Sequence, residues 1–314
     1  MIKLMWQVAF YGLSAFSFLL SFNAYSQHTE DDGRYIENVF NNSTRKSDVI
    51  YGENFNDFSG KKEKLRLRLF EPKGDSIGKR PLFILTPGGG FIAHEDHWMD
   101  EFGVELAKAG YVVAITRYRL SNGIESPEAF FNALFKSMSD QKAAIRYFVS
   151  DAKTKNQYRI DPDNIFIGGH SAGAITSMYT AYLDAEDKIL PIALAALKVH
   201  GGIEGDSGHA GIPYTIRAVV NLSGLVGDID MIEAGGPALM SIHGDQDEVV
   251  VPGRGPRGGY GSILIHERAS FVGLENELHI IKGGTHNDPS DTVRCPECVP
   301  LVKRFLFNQL SSGD

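Results

Sequence analysis

Apolar and polar positions along the chain fall into two alternating textures. Short runs such as "PLFILT" (81–86) and "YVVAITR" (111–117) carry almost no polar interruption, the signature of strands covered on both faces. Similar runs predict strands at 164–168, 216–222, 237–243 and 277–282. Two earlier segments, 47–54 and 63–71, are more mixed. "KKEKLRLR" (61–68) sets leucines against charges, the alternation of a strand with one wet face, and the two segments read as an antiparallel hairpin. Longer stretches with helical periodicity predict helices at 97–109, 127–151, 172–184, 260–273 and 291–310. Strands that alternate with helices predict an α/β fold: a mostly parallel sheet of about eight strands, covered by helices on both faces.

Some segments break the alternation. Residues 185–215, which include "HGGIEGDSGHAGIPY" (200–214), and residues 252–261, "PGRGPRGGYG", are rich in glycine and read as loops. Loops this long inside a compact domain are often functional. Residues 27–46 are polar and read as a flexible lead-in. No repeat or low-complexity linker divides the remainder, so 47–314 reads as one domain.

The first 26 residues are a separate object. Lys3 precedes the apolar run "LMWQVAFYGLSAFSFLLSF", and Ala24 and Ser26 are small residues at the −3 and −1 positions of a cut after Ser26. That is the layout of a secretory signal peptide, so the mature chain is expected in a secreted or periplasmic setting. The run is nearly long enough to span a bilayer, so an uncleaved anchor is the alternative. No other segment could span, and after cleavage no membrane span is expected.

Composition narrows the partners. The net charge is −8, and no basic run occurs, which argues against a nucleic-acid partner. The two cysteines, Cys295 and Cys298, sit in "RCPEC". Zinc would need two further ligands at suitable spacing, so no metal is expected. Export permits a small local disulfide between them instead.

The chemistry starts at "IFIGGHSAGA" (165–174), where an apolar strand turns abruptly into a helix at Ser171. Gly169 and Gly173 flank the serine two residues away on each side. A helix N-cap would explain the serine but not those glycines, whereas a tight elbow that lifts a hydroxyl off the sheet explains both. A serine hydroxyl becomes a useful nucleophile only when a base takes its proton. His286, in "LHIIKGGTHNDPSD" (278–291), follows the last predicted strand, so a loop can carry its imidazole over the sheet's C-terminal edge. His94, His97 and His170 read as wall residues. The base needs an orienting carboxylate, and "LMSIHGDQDEVV" (239–250) offers Asp245 and Asp247 directly after a strand. Spacing leaves the choice open; one caps the turn and the other holds the imidazole. Finally, "FILTPGGGF" (83–91) ends a strand in three glycines, whose N–H groups could approach a developing oxyanion.

These pieces resemble the α/β-hydrolase superfamily, in its carboxylesterase and lipase branch with an HGGG-type oxyanion loop. The resemblance runs from about residue 48 to 310 and rests on "PGGGF", "YRLS" (118–121), "YRIDPDNIFIGGHSAGA" (158–174) and the "HGDQD" segment. The order Ser, Asp, His is the order of that architecture. The resemblance implies that Ser171 is the nucleophile, His286 the base and Asp247, not Asp245, its orienting acid. It implies an oxyanion hole from the N–H groups of Gly89, Gly90 and Ala172, and no cofactor. Two positions depart from the pattern. Pro87 stands where the branch usually has histidine, which leaves proline's fixed φ to hold the loop. Arg117 stands where an acidic residue is common.

The expected activity is hydrolysis of carboxylic esters, on a small molecule or a polymer such as plant polysaccharide, through an acyl-enzyme. A serine peptidase or an acyltransferase would use the same residues. The roughly 50 residues before the sheet are far too few for the gating propeller that a prolyl peptidase usually carries. A non-catalytic binding relative would typically lack the serine or the histidine, and both are present.

Overall fold

The computed structural model of the protein describes residues 33–95, 97–256 and 258–310. The expected signal segment lies outside them. The chain runs β1 (Ser43–Asn56), β2 (Lys61–Pro72), β3 (Arg80–Thr86), α1 (His97–Ala109), β4 (Val112–Arg117), α2 (Pro127–Lys153), β5 (Ile160–His170) and α3 (Ala172–Tyr182). It continues with α4 (Pro191–Val199), β6 (Ala218–Leu222), β7 (Leu225–Val226), β8 (Ala238–Gly244), β9 (Tyr260–Gly261), α5 (Ser262–Phe271), β10 (Asn276–Ile281) and α6 (Cys298–Asn308). Eight strands form one sheet in the order β1-β2-β4-β3-β5-β6-β8-β10. Only β2 runs against its neighbours; from β4 to β10 every pairing is parallel. This is the α/β-hydrolase fold.

The apolar runs explain the layering. β3, β6 and β8 are buried at every position, because helices cover both faces. Even-numbered leucine and isoleucine positions of β3, with Leu65, Leu67 and Leu69 of β2, pack under α2, α3 and α5. Phe83 and Leu85 point the other way, into a second core closed by α1 and α6. The wet face expected for β2 is partly covered. Arg68 is buried beneath α1, where its Nε donates to Asp100 at 2.7 Å.

Four local expectations are corrected. Of the lead-in expected to be flexible (27–46), residues 33–46 are described and they are docked. Tyr35 is buried against Tyr111, Arg34 pairs with Asp75 at 2.6 Å, and β1 already begins at Ser43. The stretch expected to be a loop, 185–215, contains α4. "PIALAALKV" has Pro at its first turn and strong helix formers after it, and Ala193 and Leu197 anchor it. Residues 252–261 are not wholly irregular, because β9 pairs with β7. The last helix starts at Cys298, not 291. Asp291 Oδ1 accepts the N–H groups of Val293 and Arg294 in a separate turn first. Cys295 and Cys298 are joined by a disulfide across that boundary.

Candidate active site

Ser171 sits between β5 and α3 with φ +52° and ψ −121°, a conformation a non-glycine residue adopts only under constraint. Tight packing supplies that constraint. A Cβ on Gly173 would stand 1.9 Å from the Thr86 carbonyl oxygen, and one on Gly169 would stand 2.3 Å from it. The elbow is therefore pressed against the end of β3, and only glycine fits on either side of the serine. Polar groups lock the layer beneath. Gln141 Nε2 donates to Thr86 Oγ1 at 2.7 Å and to Ser177 Oγ at 2.8 Å, and Ser177 Oγ donates to Gly173 O at 3.0 Å.

His286 and Asp247 arrive from the ends of β10 and β8. His286 Nε2 lies 2.8 Å from Ser171 Oγ, and His286 Nδ1 lies 2.7 Å from Asp247 Oδ2. A carboxylate only accepts, so Nδ1 carries the proton and Nε2 presents its lone pair to the serine hydroxyl. Asp247 has a side chain wholly out of water. Burial pushes its carboxyl up, but hydrogen bonds from His243, His286 and the Val250 N–H outweigh burial and hold it well below the usual carboxylate range. The turn is capped by Asp247 itself, whose Oδ1 accepts the N–H groups of Val249 and Val250, and not by Asp245. Asp245 is exposed, and its Oδ1 accepts the Gly283 N–H at 2.7 Å, tying the two loops together.

Two further histidines support this arrangement. His170 is buried beside His286, with ring centroids 4.9 Å apart, and its Nε2 donates to the His286 carbonyl at 2.9 Å. Burial, followed by the charge of His286, lowers its pKa to about 4, so it stays neutral near neutral pH. His243, at the end of β8, has Nε2 2.8 Å from Val250 O and 3.2 Å from Asp247 Oδ2. Sequence reasoning gave His243 no role. Its signal was present: a histidine four residues before the chosen aspartate, at the end of an apolar strand.

The glycine loop follows β3 and faces the elbow. A Cβ on Gly88 would lie 3.2 Å from Ser171 Cβ, so the loop starts in contact with the serine. Gly89 and Gly90 have φ +111° and +58°, and a Cβ on Gly89 would strike the Ala93 carbonyl at 2.3 Å. Among the described residues, no acceptor takes the N–H of Gly89, Gly90 or Ala172. Proline at 87 is not the loop's sole brace. Glu95 N–H donates to Gly88 O at 3.2 Å, Ser121 N–H to Phe91 O at 2.9 Å, and Ile92 and Ala93 N–H to Gly89 O at 3.0 Å each. The Ser121 segment is fixed in turn by Arg119, whose Nη2 meets Asp140 Oδ1 at 2.8 Å in a buried ion pair. Arg117, the other departure, is exposed at the end of β4.

A cavity of about 450 Å³ lies at the opposite, N-terminal edge of the sheet, among Thr180, Tyr214, Arg217 and Pro237. The hydrogen-bonded Ser171, His286 and Asp247 lie away from it, at the C-terminal edge. No group of three or more His, Cys, Asp or Glu side chains among the described residues could hold a metal ion. No helix among them is long and apolar enough to cross a membrane.

The BD-FAE family model matches residues 67–234, more than half of the chain. No curated protein sequence matches. Among solved structures, a truncated carbohydrate esterase from gut microbiota superposes with a TM-score of 0.63 at 21% identity, covering 85% of this chain and 96% of that one. The butyrate-bound thermophilic esterase of the planctomycete Thermogutta terrifontis gives a TM-score of 0.63 at 17% identity, covering 84% and 93%. Thermogutta terrifontis esterase 2 phosphorylated by paraoxon gives 0.58 at 18%, covering 84% and 94%. At these identities the likeness is one of fold.

Proposed function

The chain belongs to the BD-FAE family of α/β-hydrolase-type esterases, and from that premise we propose that it is an exported serine esterase that works through an acyl-enzyme. The observation that carries the reading is the continuous line Asp247–His286–Ser171, with contacts of 2.7 and 2.8 Å, ending on a serine held at positive φ. Ser171 Oγ attacks the ester carbonyl as His286 Nε2 takes its proton. The oxyanion that forms is met by the N–H groups of Gly89, Gly90 and Ala172. Collapse breaks the bond to the alcohol, and His286 returns the proton to the departing oxygen. Water then attacks the acyl-serine, giving a proton to His286. The acid leaves as Ser171 recovers that proton. Asp247, kept ionised, holds the imidazole in the required tautomer and stabilises the imidazolium.

The substrate we assign is a short acyl ester, free or carried on carbohydrate. One structural neighbour is a carbohydrate esterase and another holds butyrate. A panel of p-nitrophenyl esters of increasing chain length, run beside acetylated and feruloylated oligosaccharides and a dipeptide amide, tests the assignment. Preference for the amide would make the enzyme a peptidase. A fluorophosphonate probe should label wild type and leave Ser171→Ala unlabelled; labelling of another serine would end the reading. Export is tested by sequencing the N-terminus of the mature protein, expected at Gln27.

A further inference from the structure

Asp247 has more partners than a triad acid requires. Oδ1 accepts the backbone N–H groups of Val249 and Val250 at 2.9 and 2.8 Å. Oδ2 faces two imidazoles, Nδ1 of His286 at 2.7 Å and Nε2 of His243 at 3.2 Å. His243 is fully buried, and each of its nitrogens has a defined neighbour. Both oxygens near Nε2, those of Val250 O and Asp247 Oδ2, can only accept, so Nε2 carries a proton. Nδ1 faces Ser262 Oγ at 2.7 Å, and Ser262 Oγ already accepts from Asn221 Nδ2 at 3.1 Å. The hydroxyl therefore has its own proton to give to Nδ1. Every donor in the line Asn221–Ser262–His243–Asp247 finds an acceptor when His243 is neutral with its proton on Nε2.

We propose that His243 is a positioning residue for the hydrolysis, a fixed second donor to Asp247 that sets how strongly the carboxylate pulls on His286. The inference rests on the esterase reading given above. A shared donor withdraws charge from Oδ2, so the carboxylate stabilises the His286 imidazolium less than it would alone. It also adds a fixed contact at Oδ2 to the two backbone N–H groups held at Oδ1, which restrains the carboxylate plane that His286 meets. Among the described residues, His170, from the end of β5, also faces this cluster; its ring packs on His286 and it feels the charges of Asp247 and His243. Asp288, on the His286 loop, is turned to Thr285 and Arg294, and Asp245 to Gly283.

His243→Leu removes the donor and keeps an apolar filling, while His243→Gln can still offer an N–H toward Oδ2. In His243→Leu, kcat should fall about tenfold to a hundredfold, because a carboxylate that is no longer pinned lets the imidazole drift from its productive position, with KM within about twofold. The acid limb of the kcat/KM profile should move to higher pH, by roughly half a unit or more, because His286 now holds its proton against a stronger base. The low-field proton resonance of the His286–Asp247 hydrogen bond should shift as well. His243→Gln should recover most of the rate and the wild-type limb. Ser262→Ala, which releases the tautomer lock while leaving His243 in place, should move the limb in the same direction by less, and it decides the matter if His243→Leu does not fold. A role confined to packing would lower thermal stability without moving the limb or the resonance, and that result overturns the proposal. So does a glutamine variant no better than leucine. Fluorophosphonate labelling of wild type runs alongside. Labelled Ser171 with an unmoved limb removes only the role of His243, whereas an unlabelled wild type removes the esterase reading and this inference with it.

Discussion

Replacing Gly173 with alanine adds one methyl group at the tightest point of the molecule. That carbon would stand 1.9 Å from Thr86 O, 2.4 Å from Thr86 C and 2.7 Å from Pro87 O. All three atoms are backbone, so no side chain can swing aside. An ordinary carbon–oxygen contact is about 3.3 Å, so α3 and the end of β3 must part by about 1.4 Å. Overpacking of this kind costs about 1–3 kcal/mol, which lowers the melting temperature by roughly 2–10 °C in a domain of this size. The catalytic cost should be larger. Thr86 and Pro87 lead directly into the glycine loop, so the displacement opens the gap between Ser171 and the proposed oxyanion donors, Gly89 and Gly90. A misplacement of about 1 Å can cost a hundredfold, and kcat should fall by about that or more. The assay is turnover of p-nitrophenyl acetate together with thermal melts. Gly78→Ala is the control, since a Cβ there meets nothing within 4 Å. A Gly173→Ala enzyme with wild-type kcat and melting temperature would show that the elbow is not pressed against β3 and that the steric argument is wrong.

The two aspartates should separate cleanly. Asp247→Asn should cost roughly three to four orders of magnitude in kcat, because an amide supports the wrong imidazole tautomer, whereas Asp245→Asn should mainly lower stability; equal losses would contradict the division. In the glycine loop, a Cβ at Gly90 meets only Ile92 Cγ1 at 4.0 Å, an ordinary contact, so Gly90→Ala carries only the left-handed backbone penalty, about 1–2 kcal/mol. Gly89→Ala collides with Ala93 O as well, so its kcat should fall much further, and the reverse order would remove Gly89 from the hole. Acid should unfold the protein through its buried histidines. Burial lowers His170, His200 and His266 to about 4, below an unfolded value near 6.5. Between those values the unfolded chain binds more protons, so stability falls as pH drops from about 6.5 to about 4, while the stabilisation from the depressed Asp247 carboxyl, present throughout that range, is lost only below about 4. Urea midpoints at pH 7, 5.5 and 4.5 would measure this; a flat profile would contradict it.

The parts of the molecule legible from sequence are those in which one physical demand dominates a short segment. All eight strands of the main sheet were visible, the central ones because burial on both faces forces continuous apolar runs and the two leading ones as a mixed hairpin with charges on a wet face. Ser171 was visible because an elbow needs glycine on both sides within five residues. Other features depend on contacts distant in sequence. Nothing near Tyr35 reveals that Ala109 O will accept its N–H and that Tyr111 will cover its ring. α4 was hidden by the glycine-rich stretch that follows it. His243 was hidden by its strand, where a single polar residue in an apolar run looks like an edge effect. Its partner Ser262 lies 19 residues away, at the start of α5.

The missing histidine before the glycine loop shows how the same demand can be met by other residues. A loop that must hold N–H groups against a transition-state charge cannot be free to move, because reorganisation at the moment of reaction would erase the benefit. Here the restraint comes sideways, from the segment after β4. Ser121 holds Phe91 O, Tyr118 O accepts from His94 Nε2 at 2.8 Å, and Arg119 anchors the whole segment to Asp140 on α2. Arg119 and Asp140 are nearly or wholly excluded from water, and breaking such a pair leaves one charge uncompensated, at about 3–5 kcal/mol. Asp140 Oδ1 also accepts from Ser207 Oγ at 2.6 Å. Ser207 belongs to the glycine-rich insertion after α4, which reads as a long loop in the sequence. That insertion therefore reaches the glycine loop through three successive contacts, and its conformation is part of what keeps the loop in place.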